Sequence, residues 1–161
     1  LYNLSFKIKW PNDIVINGKK ICGILTEGIL AEKEIQKAVI GIGINVNSKK
    51  FYDELSEKAT SLYMLTAKNS DRIKIINKIL EVFEEHYIIF LNKGIEPLLE
   101  EYKTLCITLN KDITVILNDE NANARAFDIT KNGELVIKKE DGTTLTVNSG
   151  EVSVRGIYGY N

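Results

Sequence analysis

The chain has 161 residues, 44% hydrophobic and 27% charged. That is long and apolar enough to bury a core as one domain, or as one domain with a small appendage. Its 21 basic and 22 acidic residues cancel, so no net field draws nucleic acid or an anionic membrane surface. Its three arginines are Arg72, Arg125 and Arg155, its cysteines are Cys22 and Cys106, and its one histidine is His86. These exclude an arginine phosphate clamp, a disulfide framework and a zinc cluster within these residues. Two free thiols fit a reducing cytoplasm, and no apolar run approaches the roughly 18 residues of a membrane span. The sequence opens on Leu1 and turns strand-like within a few positions, so it reads as a piece of a longer protein.

Residues 5–9 alternate apolar and polar, as a half-buried strand does, and Pro11 stops the ladder near Trp10. Residues 14–16 and 20–32 pair as a hairpin around Asn17-Gly18, a dipeptide suited to a type I′ turn. Residues 35–46 form a further strand, reached through the polar turn Glu32-Lys33-Glu34. Its segment Ala38–Ile44 is almost continuously apolar, which predicts a central strand covered on both faces. A short helix is expected at 59–66. From Ser70 the period changes: Ile73, Ile76, Leu80, Phe83, Tyr87 and Phe90 recur at three- and four-residue steps, one apolar stripe of a helix. Ser70 or Asp71 caps its start and Gly94 ends it, and a second helix begins near Ile95 with Pro97 in its first turn. After Cys106 come five short strands at 112–117, 124–129, 134–138, 144–147 and 151–155. They are punctuated by Asn118-Asp119, Asn132-Gly133, Asp141-Gly142 and Ser149-Gly150. Five strands in this space predict a small SH3-like barrel. The fold class is therefore α+β, part of a mixed β-sheet with packed helices followed by the barrel, divided as residues 1–108 and 109–161.

Three motifs end on residues that packing alone does not select: Lys9-Trp10-Pro11-Asn12-Asp13-Ile14, Gly23-Ile24-Leu25-Thr26-Glu27 and Gly41-Ile42-Gly43-Ile44-Asn45-Val46-Asn47. A lysine beside a bulky aromatic and a Pro-Asn-Asp turn delivers one fixed cation to one place. The glycines of the next two strands let a ligand lie against the backbone. Gly41 and Gly43 are not a dinucleotide fingerprint, which needs a third glycine and a following helix. Each feature also has a plain structural reading. Lys9 suits an edge strand, Pro-Asn-Asp suits any turn, and Arg155 suits a surface pair. His86 is a partly exposed packing residue, and Cys22, Cys106 and Trp10 suit a core.

Taken together and in this order, the three motifs resemble those of biotin–protein ligases, and Gly150-Glu151-Val152-Ser153-Val154-Arg155-Gly156 resembles the end of that family's SH3-like domain. The resemblance extends over essentially the whole chain and implies a class II synthetase-like ligase catalytic domain. It implies that biotin's carboxylate attacks the α-phosphate of ATP, with Mg2+, to give biotinyl-5′-AMP and pyrophosphate. A lysine of a biotin carboxyl-carrier protein then takes the biotinyl group, and AMP leaves. In residue terms it implies that Lys9 is the catalytic cation, meeting the biotin carboxylate and the adenylate phosphate, and that Gly23 and Gly41 lie against biotin. Asn12, Asp13, Asn45, Asn47 and Arg155 fall to the nucleotide, Asp13 either orienting Lys9 or helping to hold magnesium. No resident metal site is expected. Ala126 departs from the pattern, where a glycine is common. The family's Ser-Thr-Asn segment, biotin-contacting glutamine and glycine–arginine loop are not in these residues, and neither is the winged-helix domain of its repressor-type members. This fragment is thus expected to be inactive alone, to pair through open sheet edges as a homodimer, and to bind neither membrane nor nucleic acid. The competing readings are a lipoate–protein ligase and a non-catalytic protein-binding module.

Overall fold

The computed structural model describes residues 1–31, 34–117, 120–149 and 153–155. Four strands form an antiparallel meander: β1 (Lys7–Lys9), β2 (Asp13–Ile16), β3 (Lys19–Ala31) and β4 (Glu34–Ile44), in the order β1-β2-β3-β4. Asn17 (φ 50°) and Gly18 (φ 75°) both take the left-handed conformation that a type I′ turn demands. The parallel component of the expected mixed sheet is confined, among the described residues, to two isolated bridges, Ile8 to Cys106 and Lys20 to Ala59.

One face of this sheet packs on helices. Ile16, Ile21, Cys22, Val46, Leu62 and Ile75 form its buried cluster, with Ile14, Ile24, Ile44 and Ile79 around them. The apolar run in β4 does not occupy the central position its composition predicts. It lies at the edge of the described sheet, with Val39, Ile40 and Ile42 exposed. Apolarity marks a strand for burial without supplying the layer that buries it.

The single helix expected at 59–66 is instead two short ones, α1 (Leu55–Lys58) and α2 (Leu62–Thr66). Ala59 is extended, Thr60 N–H donates to the Lys20 carbonyl at 2.9 Å, and Ser61 caps α2 by accepting from Met64 N–H. Helix α3 (Arg72–Lys93) starts at Asp71, whose carboxylate accepts from the Ile73 and Lys74 amides, and stops at Gly94 with φ 76°. Its stripe of Ile73, Ile76, Leu80, Phe83, Tyr87 and Phe90 is exposed, and Ile75 and Ile79 make the contact with the sheet. Helix α4 (Glu96–Leu105) carries its proline in the first turn, as expected.

The remaining strands, β5 (Lys111–Leu117), β6 (Glu120–Ile129), β7 (Leu135–Lys139), β8 (Thr144–Val147) and β9 (Ser153–Arg155), form one antiparallel sheet in the order β8-β7-β6-β5-β9. This five-stranded unit is compatible with the SH3-like barrel. Gly133 (φ 81°) and Gly142 (φ 86°) make two of its turns, whereas Asn118-Asp119 and Gly150 lie outside the described residues. Val115, Ala126, Leu135 and Ile137 are fully buried at its centre, so the methyl of Ala126 is absorbed by the core. Trp10 joins that same cluster from the first sheet.

Candidate functional site

The register of the first sheet sets one row across all four strands: Lys9 opposite Asp13, Asp13 opposite Gly23, and Gly23 opposite Gly43. Directly cross-strand partners share a face, so two charged residues and two glycines lie on the side away from the helix-packed core. One step along, Leu25 is opposite Gly41. Asn12, Asp13, Lys20, Gly23, Leu25, Gly41 and Gly43 line an open cleft of about 660 Å³ there. Five of the sequence-selected residues (Asn12, Asp13, Gly23, Gly41 and Gly43) thus come together.

Lys9 belongs to the row but not to the cleft lining. It is only 7% exposed, and desolvation holds its ammonium below the ordinary lysine range, partly offset by Asp13, with Lys20 adding a further depression. The cation at the cleft itself is Lys20, which the motif reading passed over. Its Nζ lies 2.5 Å from Asp13 Oδ1, and its side chain remains 38% exposed, against 19% for Asp13. Strict alternation places Lys20 and Gly23, three residues apart, on opposite faces. A register shift between Ile14 and Val15 breaks that alternation, burying Ile21 and Cys22 in succession and bringing Lys20 into phase with Gly23. A Cβ on Gly23 would stand 2.9 Å from both Cε and Nζ of Lys20. The bare Gly23 thus lets the Lys20 head lie directly over the strand, a position that a side chain there would displace. Gly41 and Gly43 have ordinary room for a methyl, 3.7 and 3.8 Å from the nearest carbonyl oxygens, and their bareness serves the open cleft. Burial also pushes the Cys22 thiol up, the chief of several causes, as befits an inert core thiol.

Asn12 lines the cleft with its amide engaged: Nδ2 donates to the Ile24 carbonyl at 2.6 Å, while Ile24 N–H donates to the Asn12 carbonyl at 3.0 Å. Asn45 lies just past β4 and is not in the lining; its backbone joins Ile21 and Leu62. Asn47 does a structural task, its Nδ2 donating to the Ser70 carbonyl at 3.0 Å and its Oδ1 accepting from Ser70 N–H at 2.9 Å, which fastens the segment leading into α3. Arg155 pairs through its backbone with Thr114, and its side chain lies outside what is described. Among the described residues no group of three or more His, Cys, Asp or Glu side chains is placed to hold a metal.

A cation beside a bare backbone surface fits a small anionic ligand. Residues 2–45 match the model of the "Biotin/lipoate A/B protein ligase family", and residues 108–155 match that of the "Biotin protein ligase C terminal domain". The chain belongs to the biotin protein ligase family. Among relatives of this family, the bifunctional ligase/repressor BirA of Bacillus subtilis is 36% identical over 137 residues, 84% of this chain and 42% of that protein. The biotin–[acetyl-CoA-carboxylase] ligase of Mycobacterium tuberculosis is 31% identical over 146 residues, 90% of this chain and 52% of that protein. A biotin protein ligase from Aquifex aeolicus, solved in complex with biotin and ATP, superposes with a TM-score of 0.78 at 30% identity, over 93% of this chain and 62% of that one. The chain thus spans about half the length of the curated biotin protein ligases it matches.

Proposed function

We propose that this chain is the C-terminal half of a biotin–protein ligase catalytic domain (residues 1–108) followed by an SH3-like domain (109–161), and that the complete protein biotinylates a carrier protein. What carries the reading is the row Lys9–Asp13–Gly23–Gly43 with Lys20 beside it, a glycine-floored cleft with a lysine at its wall, on sequence motifs of this family. Biotin's carboxylate attacks the α-phosphate of ATP and pyrophosphate leaves. The ε-amine of a carboxyl-carrier lysine then attacks the acyl carbon, forming the amide as AMP departs with the bonding pair. Both steps gather negative charge on oxygen, which a pre-placed ammonium stabilises without reorganising solvent.

In this reading Lys20 meets the carboxylate and phosphate oxygens, exchanging part of its pairing with Asp13 for the ligand. Lys9, in the same row, supports the same field, Gly23, Gly41 and Gly43 lie against biotin, and Asn45 and Arg155 serve the nucleotide. Mg2+ accompanies ATP; the described residues do not assemble a ligand set for it, so no step is assigned to a metal on this chain. Reaction in the cytoplasm fits the carrier substrate and the two free thiols; among the described residues no helix is long and apolar enough to cross a membrane. Repression of the kind named for the Bacillus relative would need DNA contacts from outside this charge-balanced chain.

The test is biotin-dependent ATP–pyrophosphate exchange by the full-length protein. Lys20→Ala is expected to lower kcat/KM by at least roughly a hundredfold, the scale of a lost charged contact in a transition state, with Lys9→Ala also impaired. Near-normal exchange by Lys20→Ala would sink the assignment of that lysine. A lipoate ligase is the second reading, since one matching family model covers both activities; lipoate-dependent and biotin-independent exchange would establish it instead.

A further inference from the structure

We infer that Trp10 is a positioning residue that makes the C-terminal barrel part of the scaffold holding the ligand cleft. The inference rests on the ligase reading above for its kinetic part only. The strands flanking the turn Trp10–Asn12 are very short, three residues in β1 and four in β2, so their ladder alone holds the turn weakly. Support comes from elsewhere. Trp10 is 2% exposed and belongs to the barrel's own buried cluster, with Ile129 and Leu135 among its members. Its Nε1–H donates to the Gly133 carbonyl at 2.9 Å, 123 residues along the chain, and its backbone N–H donates to Thr108 Oγ1 at 3.0 Å. From α4, Tyr102 O–H donates to the Pro11 carbonyl at 2.9 Å.

Core packing alone explains a buried indole. It does not explain three hydrogen bonds, from three different segments, converging on two consecutive residues directly before the cleft. On the cleft side the next residue, Asn12, is locked to Ile24 by two more. The turn is thereby clamped between barrel and sheet, and Asp13, which holds Lys20, follows it immediately. A link between α4 and the barrel, Lys103 Nζ to Asp128 Oδ1 at 2.7 Å, does not touch the turn and serves as a control.

The test uses the full-length protein with Trp10→Phe, Tyr102→Phe and Lys103→Ala. The readouts are hydrogen exchange at the Ile24 amide, whose acceptor is Asn12, and biotin KM in pyrophosphate exchange. Trp10→Phe keeps a packed ring and loses the indole donor; Tyr102→Phe keeps the ring and loses the hydroxyl. Both are expected to speed Ile24 exchange and raise biotin KM by roughly two- to tenfold, the range of one neutral hydrogen bond, while Lys103→Ala changes neither by more than about twofold, since its partner Asp128 lies away from the turn. Unchanged Ile24 exchange in both aromatic variants overturns the inference, and so does an equal acceleration in Lys103→Ala. If the wild-type protein makes no biotinyl-AMP, the ligase reading fails, while exchange at Ile24 still decides the role of Trp10.

Discussion

Replacing Gly23 by alanine separates the cleft's chemistry from the sheet's stability, because the two are expected to move in opposite directions. The added Cβ would meet Lys20 Cε and Nζ at 2.9 Å and Asp13 Oδ1 at 3.6 Å. Ordinary carbon contacts lie at about 3.5–4.0 Å, so the lysine head retreats by roughly 1 Å, which a flexible side chain does at little cost to the fold. Alanine is more favourable than glycine in a strand by roughly 0.5–1 kcal/mol, so Tm is held or rises. The ligand loses. An ammonium about 4 Å from an anionic oxygen at an effective dielectric of about 20 contributes about 4 kcal/mol, falling to about 3.3 kcal/mol at about 5 Å, which is roughly fourfold in affinity. If the direct charged hydrogen bond is lost too, another 1.5–3 kcal/mol or so goes with it, bringing the loss to between about fiftyfold and several hundredfold. The assay is biotin KM in pyrophosphate exchange by the full-length protein, beside its melting curve. Gly43→Ala is the comparator, since its Cβ would sit 3.8 Å from the Gly23 carbonyl and leave Lys20 in place. A Gly23→Ala protein with wild-type KM, or one whose activity falls only as far as its Tm does, refutes the placement of Lys20 over Gly23.

Asn47→Ala removes both bonds to Ser70 and should cost about 1–3 kcal/mol of stability with ATP KM unchanged; a raised ATP KM at normal stability would return Asn47 to the nucleotide. Lys9 has a folded-state pKa below its ordinary 10.5, so the folded state gives up its proton first. Stability from this group should therefore increase as pH climbs from the folded value towards 10.5, and Lys9→Met should lack that alkaline increase in denaturation curves taken across the range. The isolated 161-residue chain is expected to make little biotinyl-AMP and to self-associate through the exposed apolar face of α3, where Phe83, Tyr87 and Phe90 stack at 6.0 and 6.4 Å. Phe83→Glu should reduce that association in sedimentation experiments with helix content retained, and undiminished association would move the contact elsewhere.

Local chemistry was legible wherever it acts within a few residues. Asn17-Gly18 forms the hairpin turn, Asp71 and Gly94 bound the long helix, Pro97 opens the next one, and glycine turns punctuate the barrel. Asn12, Asp13, Gly23, Gly41 and Gly43, which the motifs singled out, line one cleft. Position along the chain, however, says nothing about phase once a bulge intervenes. Lys20 follows another lysine just after a turn and reads as a solvated charge, while Lys9 carries the motif and yet lies buried.

Burial by a distant layer was equally beyond local reading. The run Ala38–Ile44 and the stripe of α3 are apolar enough for a core, yet both are exposed among the described residues, because burial depends on what packs against them. By itself, then, the sequence determined the elements, their caps and turns, and a family whose chemistry needs a cation beside glycines. Tertiary structure decided that Lys20 stands at the cleft beside Asp13 while Lys9 is buried in the same row, through one register shift. It also decided that Trp10 belongs to the barrel's core, because a hydrogen bond across 123 residues, from Trp10 to Gly133, exists only once both units are folded together.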